Sequence, residues 1–162
     1  MSLDHDIRYS EMDDLAYLEK WFQDPSACDD FPFGPDEKGE ALKNWIGFSR
    51  YKASLTATIG GIPCAIGTLY LMPYKKVAHH CSFLLFVAPE FRRQGIGTSM
   101  IRNLLNLAKT RFKLESVNVE LYKPSALLSM LEKLHFESFA EQADFVKING
   151  LGRPRVLLEH YF

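Results

Sequence analysis

The stretch VAPEFRRQGIGTSM, Val87 to Met100, has the residue types and spacing to hold an anion. Gly95 and Gly97 let the backbone come close to a ligand. At a helix start the first N–H groups have no intrahelical partners, point one way and carry the positive end of the helix dipole. A diphosphate suits that geometry, and Arg92 and Arg93 add full positive charge. Two nucleotide motifs are excluded. A P-loop requires GxxxxGK[ST], and neither the spacing nor the lysine is present. A dinucleotide turn requires GxGxxG, and the third glycine position is Met100. A Gly-x-Gly with two arginines is equally the composition of a solvated strand-to-helix turn. Two further places offer proton chemistry: the run His79-His80-Cys81, and Glu120 in the alternating segment SVNVELY. Adjacent histidines on a strand face opposite ways, so that run is not expected to bind metal, while His79 shares the parity of Cys81.

The elements that must position these residues are legible as periodicities. IRYS (7–10) is a short first strand, and 11–22 a helix entered from Ser10, with Leu15, Leu18 and Phe22 at helical spacing. The proline-rich 23–36 is a loop, and 37–51 a second helix capped by Asp36. A hairpin turning at Gly60-Gly61 spans 53–72. The strand 77–87 is apolar and aromatic toward its end, as a buried central strand requires. The clearest amphipathic helix is 101–112, with Ile101, Leu104, Leu105, Ala108 and Phe112 on one face. A strand at 116–122 and a helix at 124–136 follow. Two strand-like runs, 136–148 and 155–162, are joined through NGLGRP as a turn. The order β-α-α-β-β-β-α-β-α-β-β predicts a mixed sheet with helices on its faces.

The totals narrow the function classes. A chain of 162 residues fits one domain, 1–162, with room for a sizeable core. A net charge of −1 and a pI near 6.5 call for neither nucleic acid nor an anionic membrane surface as partner. No apolar run reaches the ~18–20 residues that a membrane span needs. The opening MSLDHDIRYS carries acid and no apolar block, so a signal peptide is not expected. Met1 to Leu3 read either as native or as a cloning remnant. Cys28, Cys64 and Cys81 have no metal or redox spacing and read as reduced thiols of a cytoplasmic protein.

Leu85-x-Val87-x-Pro89-x-x-Arg92-x-x-Gly95-x-Gly97 resembles the acetyl-coenzyme A signature of the GNAT N-acetyltransferase superfamily, L-x-V-x-P-x-x-[RQ]-x-x-G-x-[GA], at every signature position. LEKLHF (131–136) is similar to the late segment [LY]-E-K-x-G-F of that family, and the element order resembles its fold over nearly the whole chain. The resemblance implies an α/β fold with a mixed, mostly antiparallel sheet of about seven strands, about four helices, and the fourth and fifth strands splayed apart. It implies acetyl-CoA as co-substrate, no metal, and transfer to a small-molecule or peptide amine in a ternary complex, by a monomer or homodimer. The amides of Arg93, Gln94, Gly95, Ile96, Gly97 and Thr98, with Arg92 beside them, would hold the pyrophosphate. Leu85, Phe86 and Val87 would pair with the pantetheine arm, and the Leu85 N–H would stabilise the oxyanion.

For the base, the resemblance points to the fifth strand. Glu120 stands five residues before Ser125, where other members carry Glu and then Asn, and Ser125 at that Asn position would join the residues that bind acetyl-CoA. His79 is the second candidate. The family's usual catalytic tyrosine position is Leu131, and its glycine is His135. Leucine donates no proton, which motivates the alternative of a non-catalytic acyl-CoA-binding module. On the acceptor side the resemblance points to the loop 28–37. There Phe31 and Phe33 offer an apolar wall, and Asp29, Asp30, Asp36 and Glu37 offer charge for a cationic amine.

Overall fold

The computed structural model describes residues 4–162; the question of Met1 to Leu3 lies outside the described residues. Among them are seven strands and four α-helices, in the order expected from the sequence. They are β1 (Asp6–Tyr9), α1 (Leu15–Trp21), α2 (Lys38–Gly47), β2 (Ser54–Ile59), β3 (Ile62–Leu71), β4 (His80–Val87), α3 (Ile96–Thr110), β5 (Ser116–Tyr122), α4 (Leu127–Lys133), β6 (Glu137–Ile148) and β7 (Leu151–Tyr161). The strands form one sheet ordered β1-β2-β3-β4-β5-β7-β6. All neighbours are antiparallel except β4 and β5.

That parallel pair decides the architecture. It is hydrogen-bonded in register only at His80↔Ser116, Cys81↔Val117 and Ser82↔Asn118. Beyond Ser82, β4 stays paired to β3 as far as Val87, and β5 stays paired to β7 as far as Tyr122. The two strands therefore part company from Phe83 onward, and a V-shaped opening runs into the sheet.

Each face has its own core because strand side chains alternate. Phe83 and Leu85 of β4 and Val117, Val119 and Leu121 of β5 pack with Ile101 and Leu104 of α3 and Leu131 of α4. On the other face Ile66 and Phe86 pack with Leu18, Phe22, Leu42, Trp45 and Ile46 of α1 and α2. Beside this second core lies a buried hydroxyl ladder. Asp14 accepts from both Arg8 Nη1 (2.8 Å) and Nη2 (2.9 Å), from the Glu11 amide (2.9 Å) and from Thr56 Oγ1 (2.9 Å). Thr56, Ser10, Ser54 and Thr68 continue it hydroxyl to hydroxyl.

Several boundaries differ from expectation, each for a local reason. α3 begins at Ile96, not near 101, because Gly97-Thr98-Ser99 continue the helix despite their loop-like composition. β7 begins at Leu151, so of NGLGRP only Asn149-Gly150 turns, both residues with positive φ. Pro154 is tolerated inside β7 because the β6–β7 register shifts between Gln142 and Val146, next to it. α1 is shorter than predicted. Ser10 turns inward to the ladder, and Glu11 and Asp14 cap each other reciprocally at the first turn. α2 and α4 also lose their outer turns, α2 passing into a 3-10 turn at Phe48–Tyr51.

Candidate active site

The opening between β4 and β5 forms part of a cavity of about 580 Å³. Its walls come from both faces of the sheet: Asp30 and Phe31 after α1, Phe83 to Val87 of β4, Arg92, Arg93 and Gly97, Val119 to Tyr122 of β5, and Ser125, Ala126, Leu127 and Met130 around α4.

The strand alternation shows which backbone groups face it. Ala88 donates to the Cys64 carbonyl at 2.9 Å, so with a period of two the amides and carbonyls of Phe86 and Leu84 serve β3. Those of Leu85 and Val87 point the other way, where β5 has left. The carbonyl of Val87 is met by Arg92 Nε at 2.9 Å, and the Arg92 guanidinium lies 5.1 Å from the Phe86 ring centre. Arg92 is thus folded against the end of β4.

At the other end of the loop, Arg93 (φ 61°) and Gly95 (φ 83°) are both left-handed, which turns the chain sharply into α3. A non-glycine residue held there stores backbone strain. Ser99 is the first α3 amide to bond back, to the Gly95 carbonyl at 3.1 Å, which leaves the amides of Ile96, Gly97 and Thr98 directed out of the helix start. Gly97 lines the cavity. A Cβ there would come within 3.3 Å of Met130 Cε and 3.8 Å of Val87 Cγ2.

The lining carries both signs of charge: Arg92 and Arg93 beside the α3 start, and Asp30 and Glu120, which are paired with Arg153 and Arg155. Glu120 is about one-third exposed and doubly held. Tyr122 Oη donates to its Oε1 at 2.6 Å, and Arg155 Nη1 lies 3.4 Å from its Oε2. Burial, and then the Glu120 hydrogen bond, raise the Tyr122 phenol well above its ordinary value, so it stays a donor. Arg155 is in turn fixed by Gln142 Oε1 (2.7 Å) and the Phe145 ring (3.8 Å to its centre).

Of the residues singled out in the sequence, Leu85, Phe86, Val87, Arg92, Arg93, Gly97, Glu120 and Ser125 are brought to one cavity. Gln94, Gly95, Ile96 and Thr98 form the turn and helix start beside it, Ile96 facing the core. Ser125 Oγ accepts the Leu127 amide at 3.2 Å and so starts α4. His79 is not brought there. It lies in an exposed turn before β4, at the end where the two strands are still joined, so the expected strand parity with Cys81 does not hold. Cys81 is buried, with its thiol pushed up to about 12 by burial. Leu131 is fully buried in the core, and the α4 side chains lining the cavity are Leu127 and Met130. Tyr122, close to Glu120 in the sequence, points to it, because Glu-x-Tyr sets two strand residues on one face. Among the described residues no group of His, Cys, Asp or Glu is placed to hold a metal ion, and no helix is long and apolar enough to cross a membrane.

Residues 15–136 match the model of the family described as Acetyltransferase (GNAT) family. The chain belongs to the GNAT acetyltransferase family. Solved structures agree on the fold. A GNAT-family acetyltransferase from Streptococcus pneumoniae superposes with a TM-score of 0.85 at 16% identity, covering 98% of this chain and 100% of that one. YncA of Salmonella typhimurium, described as an acetyltransferase and solved with its cofactor acetyl-CoA, gives 0.82 at 12%, covering 97% and 93%. The ribosomal-protein-alanine N-acetyltransferase of Brucella melitensis gives 0.82 at 16%, covering 97% and 99%. No curated protein sequence matches the chain. Family membership supports acetyl transfer as the general activity of this GNAT domain, and its splayed β4–β5 pair is where the fold opens.

Proposed function

We propose that this GNAT protein is an acetyl-CoA-dependent N-acetyltransferase acting on a primary amine by direct attack in a ternary complex. The observation that carries the reading is the make-up of one cavity: two arginines beside a free helix start, the unpaired edge of β4, and the Glu120 carboxylate all line it. The residues present fit the donor. The amides at 93–98 with Arg92 and Arg93 suit a diphosphate, and Gly97 leaves room where a Cβ would press on Met130. Leu85 and Val87 offer backbone groups to a pantetheine arm lying as an extra strand. When bound, acetyl-CoA supplies the acetyl group as a thioester.

The chain's own residues then divide the work. An amine is mostly protonated near neutral pH, so a base must take a proton, directly or through water. Glu120 does this through Oε2, the oxygen held only loosely at 3.4 Å by Arg155. Tyr122 is a positioning residue that fixes the other oxygen. The Leu85 N–H faces the developing oxyanion, a contribution of a few kcal/mol by analogy with other oxyanion holes. With leucine at 131, the leaving sulfur takes its proton from solvent or from the attacking nitrogen, which sheds one as it becomes the amide. Asp30 and Glu120 favour a cationic acceptor, and Phe31 gives it an apolar wall. The three free, buried cysteines support a reducing compartment such as the cytoplasm.

The test is thiol release from acetyl-CoA with a panel of primary amines. Glu120→Gln should lower kcat by roughly 10²–10³ while leaving coenzyme A affinity unchanged. Tyr122→Phe should lower kcat about tenfold, the low end of about 1.5 kcal/mol for a hydrogen bond to a charged group because water replaces it. Full rate in Glu120→Gln at every pH would remove Glu120 as base. Binding of acetyl-CoA with no turnover on any amine would favour the second reading, an acyl-CoA-binding module, to which the buried Leu131 points.

A further inference from the structure

Arg153, on β7, has a guanidinium engaged by two separate loops. Its Nε donates to the Lys123 carbonyl (2.9 Å) and its Nη2 to the carbonyls of Tyr122 (2.7 Å) and Pro124 (3.0 Å). Its Nη1 donates to the Asp29 carbonyl (2.9 Å), with Asp30 Oδ1 at 3.4 Å from Nη2. The first three acceptors belong to the last residue of β5 and the turn that follows it; the last two belong to the 3-10 segment Pro25–Asp30 between α1 and α2. Both segments run directly into the cavity lining, one through Tyr122, Ser125 and Ala126, the other through Asp30 and Phe31. The side chain is only 18% exposed, whereas the Asp30 carboxylate is 64% exposed, so the carbonyls hold it more than the ion pair does.

Four carbonyls gathered by one planar fork is an arrangement a lysine cannot reproduce. Neither loop has a helix or strand ladder to the other. What bonds them to one another is this guanidinium, reaching from β7, a strand that lines none of the cavity. The turn at Ser125 is on the donor side of the proposed reaction and Phe31 on the acceptor side. A ligand that orders one segment therefore orders the other through Arg153, and such coupling is reciprocal.

We propose that Arg153 is a positioning residue that clasps the acceptor loop 25–30 to the β5–α4 turn, so that donor binding preorganises the acceptor site. The donor and acceptor labels rest on the function proposed above; the clasp itself does not. Hydrogen–deuterium exchange read at individual amides separates the two. The reporters are Ala27 and Phe31, which bond to Asp24 and Cys28, and Leu127 and Leu128, which bond to Ser125. In the unaltered protein, coenzyme A should slow exchange at both pairs, the loop pair by about fivefold or more. In Arg153→Lys, coenzyme A should still protect 127–128 but leave 27 and 31 unchanged. The ligand-free variant should already exchange faster at 27 and 31. With the best amine of the panel, Arg153→Lys should raise the acceptor KM by roughly tenfold or more and leave kcat and coenzyme A affinity nearly unchanged. Protection confined to 127–128 in the unaltered protein overturns the clasp, and that measurement requires no folded variant. Equal loop exchange and equal acceptor KM in Arg153→Lys overturns it as well. If coenzyme A does not bind, the donor assignment falls instead, and faster exchange at 27 and 31 in ligand-free Arg153→Lys still upholds the clasp.

Discussion

Replacing Gly97 by alanine separates the donor site from the stability of the fold. Gly97 is the second residue of α3, and its backbone is helical, so alanine is conformationally acceptable. Alanine is the better helix former by up to about 1 kcal/mol, less near a helix end. The added methyl meets Met130 Cε at 3.3 Å, Met130 Sδ at 3.5 Å and Val87 Cγ2 at 3.8 Å. The closest atoms belong to the end of a flexible side chain on the cavity wall, which yields by a few tenths of an ångström toward the open space. The protein therefore absorbs the methyl, and the cavity loses the room. An extra methylene in a filled site costs about 1–3 kcal/mol, which corresponds to coenzyme A affinity weaker by about fivefold to a hundredfold. Calorimetric titration with coenzyme A measures this, and a thermal melt run alongside should show a Tm unchanged or up to about 3 °C higher. A folded Gly97→Ala protein with undiminished affinity would refute the idea that the donor passes between Val87, Gly97 and Met130. A lower Tm would refute the claim that Met130 yields.

Two further predictions concern the frame around the site. Burial pushes the Asp14 carboxyl up, but the Arg8 guanidinium, the Glu11 amide and the Thr56 hydroxyl outweigh it and leave it below its ordinary value. A lowered folded value stabilises above the unfolded pKa of ~3.9 and is lost as pH falls through the folded one. Asp14→Asn should lower Tm by roughly 4–8 °C at pH 7, from about 2 kcal/mol for weakening the charge-assisted bonds of a buried carboxylate whose Arg8 partner is partly exposed, and by clearly less at pH 3. A gap independent of pH would show that the charge is not what stabilises the ladder. His135, exposed just after α4, holds φ 68° where the family resembled in the sequence carries glycine. His135→Gly should leave Tm unchanged or raise it by up to about 3 °C, relief of left-handed strain being partly offset by a freer unfolded chain. A fall in Tm would mean that the imidazole has a stabilising contact at the helix end.

The parts of this protein legible from the residues alone are those written in contiguous sequence. Leu85 to Gly97 is thirteen residues of strand end, turn and helix start in unbroken order, and each step has its own local signal: apolar alternation, a proline, two glycines. The order of elements was readable for the same reason, and errors fell at ends, where composition and tertiary contact compete. Gly97-Thr98-Ser99 look like loop but extend α3, and Pro154 looks like a break but sits in β7 beside a register shift. The part of the cavity around Glu120 is different. Glu120 is held by Tyr122 two residues away, but also by Arg155, and Arg153 reaches across 124 positions to the Asp29 carbonyl. His79, plausible by spacing, was removed from the site by the point at which β4 and β5 cease to pair. Periodicity and turn chemistry report on neighbours within a few residues. Where two parallel strands separate, and which arginine from a distant strand ties two loops together, are set by the packing of the whole sheet, and only the tertiary structure decided them.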